Sequence, residues 1–150
     1  MFNMKESKKL VVAPGEETYY VNTYACFGWE LVSSQEIKVK DSHVENRGGT
    51  LYSVTESENY VNIMLSRDTQ IPNYEKLNGF QKRFETASSS RQPRKKFSGI
   101  IALLGLALFG VGLVLYIVYY TTSNKKIDEH NSQCQQAMDK AVADAKQLVG

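Results

Sequence analysis

The longest unbroken pattern in the chain is apolar. Gly99 to Tyr120 holds thirteen Leu, Ile, Val or Phe residues and no charged side chain. As one helix it would rise about 33 Å, at about 1.5 Å per residue, which is enough for a hydrocarbon core of about 30 Å. The pattern predicts a single transmembrane helix over 99–120. That span would divide the chain into a soluble domain at 1–85, a basic linker at 86–98, the span itself and a helical tail at 121–150.

Before the span, the periods change repeatedly. Lys8 to Val12 reads as a strand that stops at Ala13-Pro14-Gly15. Glu16 and Glu17 suit the first turn of a helix, and Tyr20, Val21, Tyr24 and Ala25 share one helical face that ends at Gly28. Leu31, Ile37 and Val39 then fall on the odd positions of a strand, and Asp41 to Gly49 reads as a loop. Leu51 to Thr55 predicts another strand and Ser57-Glu58-Asn59 a turn. Tyr60 to Ser66 alternates again through Val61, Ile63 and Leu65. Leu77, Phe80 and Phe84 place a last helix over about 74–85. The order is β-α-β-β-β-α, an α+β domain with a mostly antiparallel sheet of four strands. Its helix face should pack on Leu31, Ile37, Val61 and Ile63.

Charge is sorted along this frame. Residues 1–80 carry eight Lys or Arg against eleven Asp or Glu, whereas 81–96 carry six against one. The tail 121–150 has four of each. Arg91, Arg94, Lys95 and Lys96 lie directly before the apolar run, so the positive-inside rule places the N-terminal domain in the cytoplasm and the tail outside a cell membrane. The same four residues are candidates for contact with anionic lipid. Residues 1–20 hold no secretory h-region, so the span itself is expected to be the targeting signal. A nucleic-acid partner is not expected, because the domain behind the basic cluster is acidic.

Around Phe27-Gly28-Trp29-Glu30-Leu31-Val32-Ser33-Ser34 the chain resembles a family of small uncharacterised bacterial α/β domains. These share a "GWELVS" motif after a short amphipathic helix. The resemblance covers about residues 8–65 and implies a bacterial origin and a small α/β sandwich. It carries over no catalytic residue.

Chemistry-bearing motifs are sparse. His43 stands beside Asp41, Ser42 and Glu45, but in a segment read as a loop, where a general base is not held in place. Cys26 and His43 are too few for a metal site, and Cys26 reads as a small core residue. Cys26 and Cys134 would be kept apart by the membrane. Gly48-Gly49 lacks the spacing of a phosphate loop. No catalytic residue, metal or cofactor is expected, and the chain is read as non-enzymatic.

Interaction is the remaining reading. Ser98, Ala102, Gly105, Phe109, Gly112 and Tyr116 form one seam of mostly small residues, the kind of face on which membrane helices associate. Ile127, Cys134, Ala141 and Leu148, spaced by seven, mark a helical stripe in the tail. The sequence points to a single-pass accessory or adaptor subunit, in contact with membrane lipid. It would dock on a larger membrane-protein assembly, or on a second copy, through the seam. The alternative is a membrane-tethered sensor whose cytoplasmic domain binds a small ligand.

Overall fold

The computed structural model describes residues 4–47, 50–107 and 111–149, and their side chains except at 41, 43–47, 50–56 and 104–107. Strand β1 (Lys5–Val12) ends in a tight turn in which the Glu16 N–H donates to the Ala13 carbonyl at 3.1 Å. Pro14 and Gly15 occupy its centre, and Gly15 adopts φ +91°. Helix α1 (Glu17–Ala25) follows and closes on Gly28 at φ +84°. The Gly28 N–H reaches the Ala25 carbonyl at 3.0 Å, and the Trp29 N–H reaches that of Tyr24 at 3.2 Å. This left-handed closure satisfies the last carbonyls of the helix. A Cβ at position 28 would also meet Ile71 Cδ1 at 2.5 Å, a side-chain end that can move aside, so it is the backbone conformation that calls for glycine.

Strands β2 (Glu30–Arg47) and β3 (Thr50–Asp68) form a long antiparallel hairpin, and β1 pairs with the other edge of β3. Lys8, Leu10 and Val12 stand opposite Leu65, Ile63 and Val61. The three β3 residues are buried, as are Val12, Tyr24, Phe27 and Trp29. One face of the sheet is therefore the core.

Among the described residues the sheet has three strands rather than the four read from the sequence. Ser57, Glu58 and Asn59, read as a turn, stay paired with Lys40, Val39 and Lys38. They contain no Gly or Pro to interrupt the ladder. Residues 41–47, read as loop, likewise continue β2, and Arg47 pairs with Thr50. The expected place of Ile37 is corrected too. The register shifts between Leu31 and Ser33, so Val32 is an inserted residue and every later side chain changes face. Ser34 and Glu36 take the positions opposite Ile63 and Val61, while Ile37 stands opposite Tyr60. Leu31, also expected in the core, is 47% exposed.

Helix α2 (Tyr74–Ser89) buries Leu77, Gln81 and Phe84. Beyond it lie α3 (Gly99–Ala107) and α4 (Val111–Val149). The chain forms two compact units, Met1–Phe80 with Asp144–Gly150, and Gln81–Ala143.

The predicted transmembrane helix over 99–120 is not found among the described residues. Among the described residues no helix is long and apolar enough to cross a membrane. Helix α3 has nine residues, about 14 Å of rise, and α4 becomes polar after Tyr120. The two ends of the apolar run meet. The Ser98 N–H donates to the Tyr116 hydroxyl at 2.8 Å, and the Phe97 ring lies 5.4 Å from the rings of both Tyr116 and Tyr120. In one straight helix, residues 98 and 116 would be about 27 Å apart. The described parts of the run are two helical arms, α3 and the start of α4, whose bases come together as those of a hairpin. The single-pass membrane reading, with a cytoplasmic domain and an outside tail, falls with the span on which it rested. The tail is instead the continuation of α4, with Ile127, Cys134, Met138, Ala141 and Ala145 buried along one stripe.

Candidate functional site

Within the unit Gln81–Ala143, residues 90–98 form no helix or strand and run as an extended strap antiparallel to α4. Two asparagines hold it. Asn131 accepts from the Gln92 N–H at 2.9 Å and donates to the Gln92 carbonyl at 2.8 Å. Asn124 makes the same pair of bonds with Lys95, at 2.9 and 3.3 Å. The spacings match. Seven helical residues rise about 10.5 Å, and three extended residues cover about 9 to 10 Å. Each amide side chain thus substitutes for a neighbouring strand. At one end His130 Nε2 lies 2.9 Å from the Ser90 carbonyl, and at the other Ser98 meets Tyr116.

Charge reinforces the strap. The Arg94 guanidinium donates to both carboxylate oxygens of Asp128, with Nε 2.8 Å from Oδ1. Their mutual hydrogen bond lowers the pKa of the Asp128 carboxyl and raises that of Arg94. Lys95 Nζ donates to the Tyr119 hydroxyl at 2.6 Å and lies 4.5 Å from its ring centroid. That hydrogen bond, then the ammonium charge, lowers the pKa of the phenol.

The strap leads into the hairpin, whose surface is unusual. Phe97, Ile100, Ile101 and Leu103 are exposed, Ile100 at 75% and Leu103 at 70%. On α4, Val111, Val114, Leu115, Ile117, Val118 and Tyr119 are exposed as well. At about 100° per residue these six cover an arc of about 200°. The half-buried Gly112, Leu113, Tyr116 and Tyr120 fill the remaining sector.

The seam read from the sequence falls partly in that sheltered sector. Ser98, Ala102, Gly112 and Tyr116 are half-buried, and Ser98 and Tyr116 are brought together. The side-chain surroundings of Gly105, and all of Phe109, lie outside the described residues. Arg91, Arg94, Lys95 and Lys96 are all exposed. Arg94 and Lys95 engage α4, and they are followed across the hairpin by exposed Lys125 and Lys126.

The sheet unit holds a polar cluster that the motif search did not find. Arg67 continues the buried series Val61, Ile63 and Leu65, and its side chain is 1% exposed. Its guanidinium lies 4.5 Å from the Trp29 ring centroid and 4.8 Å from that of Tyr74. Nη1 donates to the Phe27 carbonyl at 3.0 Å and Nε to Glu6 at 2.5 Å. Glu6 is the cross-strand partner of Arg67. A charged residue in phase with a buried alternation was the available signal. The cluster ties β1, β3, the α1 closure and the start of α2 together, and its donors point at protein groups.

Other reactive groups are similarly committed. Cys26 Sγ donates to the Asn22 carbonyl at 3.2 Å. Cys134 is buried, 3.6 Å from the same His130 nitrogen that bonds Ser90, so that nitrogen is occupied as a donor and does not serve as a base for the thiol. His43 belongs to β2, and its side chain lies outside the described ones. Among the described residues no group of three or more His, Cys, Asp or Glu is arranged to hold a metal. A cleft of about 390 Å³ beside Gly28, Trp29 and Leu77 is lined by apolar residues and one charged side chain, Glu30. Comparisons with protein-family models, with curated proteins and with solved structures found no match to this chain.

Proposed function

We propose that the chain is a non-enzymatic accessory protein whose attachment element is the apolar hairpin. The sheet unit is then the part it presents to other macromolecules. One observation carries the reading: the exposed Leu, Ile, Val and Phe side chains on both arms of the hairpin. A contiguous apolar surface of this kind marks an interaction site. The sensor alternative has less support, because the cleft beside Trp29 lacks the convergent polar groups that orient a small ligand. The likeness of residues 27–34 to small bacterial domains adds no site residue to the proposal.

Fractionation of cells expressing the full chain tests it. The wild type should be recovered in the particulate fraction, and the double variant Leu103→Asp with Leu115→Asp should move to the soluble extract with an unchanged melting temperature. Equal distribution of the two proteins would overturn the reading.

A further inference from the structure

Resting on that reading, we infer that the hairpin attaches the chain to one leaflet of an anionic lipid bilayer, which it enters without crossing. Three independent features select this occupant. The first is the distribution of apolar surface. A docked helix would cover a stripe, but the exposed side chains of α4 span about 200°, and a helix apolar nearly all round suits a hydrocarbon surrounding. The second is length. The nine residues of α3 rise about 14 Å, close to half of a hydrocarbon core of about 30 Å.

The third feature is the order of chemistry along the element. Arg94, Lys95 and Lys96 precede the hairpin and Lys125 and Lys126 follow it, all five exposed. Asp128, the carboxylate engaged with this collar, is already paired with Arg94. Phe97, Tyr116, Tyr119 and Tyr120 lie between the collar and the apolar arms, and Phe97 contacts two of these rings. Cations at the headgroup level, aromatic rings at the interface and aliphatic side chains beyond them follow the polarity profile of a single leaflet. The Ser98–Tyr116 hydrogen bond holds both ends of the hairpin on the same side.

The test is co-sedimentation of the purified full chain with vesicles of phosphatidylcholine alone or with anionic phosphatidylglycerol. Binding should be strong only on the anionic vesicles. Lys96→Gln, Lys125→Gln and Lys126→Gln together should weaken it about a hundredfold, at about fivefold per charge. Leu103→Asp with Leu115→Asp should abolish it. Trypsin added outside the vesicles should cut on both flanks and leave residues 97–125, which contain no internal Lys or Arg, bound to the lipid. Equal binding to both vesicle types would overturn the inference, as would protection of residues 126–150, the mark of a crossing segment. Recovery in the particulate fraction without vesicle binding, or self-association through the hairpin in place of it, would overturn the lipid assignment. Either result would leave the attachment reading standing.

Discussion

The two units place the same kinds of side chain in opposite surroundings. In the sheet unit, Val61, Ile63 and Leu65 are buried, and Ile63 is 0% exposed. In the hairpin, Ile100, Leu103 and Leu115 face outward, at 64% exposure or more. Burial of a side chain of this size stabilises a fold by about 1.5–3 kcal/mol, a gain that the exposed hairpin residues forgo in the isolated chain. The contrast separates residues that hold the protein together from residues that, on the proposed function, are held out for contact. The base of the hairpin is fixed by the strap, through its polar bonds and the Phe97 ring against Tyr116 and Tyr120.

Substitutions can break this contrast at graded points. Ile63→Ala should cost about 4 kcal/mol, because the side chain is fully enclosed and its loss leaves a cavity. Chemical denaturation would show the loss as a lowered midpoint at unchanged slope. Arg67→Ala should cost about 3 kcal/mol, the lower end for breaking a buried pair, since Glu6 remains 32% exposed. The same measurement on Arg67→Ala with Glu6→Gln should recover part of that loss. Asn131→Ala should cost about 1 kcal/mol locally and release the strap, read as faster hydrogen exchange at the Gln92 and Lys95 amides.

Acid should act on the same strap. Asp128 is held below its ordinary pKa of 3.8, so its contribution is present above that value and is lost as the pH falls further. Protection of the two amides should therefore fall on acidification below about pH 4. At the small end, Leu103→Ala should change stability by less than about 0.5 kcal/mol.

Much of the sheet unit was readable from periodicity. The alternation at 61, 63 and 65, the turn at Pro14-Gly15 and the helix closure at Gly28 all have local chemical causes. The inserted Val32 had none that composition reveals, yet one residue was enough to move Ile37 to the other face. The path of the apolar run was hidden for a different reason. Hydropathy measures how much apolar length is present, not whether its ends meet, and the bonds that join them belong to Ser98 and Tyr116. Of the seam residues, Ser98 and Tyr116 are brought together within the chain. Asn124 and Asn131 gave no signal, because asparagine on a polar helix face ordinarily serves only solvent.

The most direct measurement compares Ile63→Ala and Leu103→Asp side by side, recording the melting temperature and binding to vesicles containing phosphatidylglycerol. Ile63→Ala should lose stability and, below its transition, keep its affinity. Leu103→Asp should keep stability and lose affinity. If Ile63→Ala proved neutral to stability, or Leu103→Asp bound vesicles as well as the wild type, the division between a core that folds and a hairpin that docks would be contradicted.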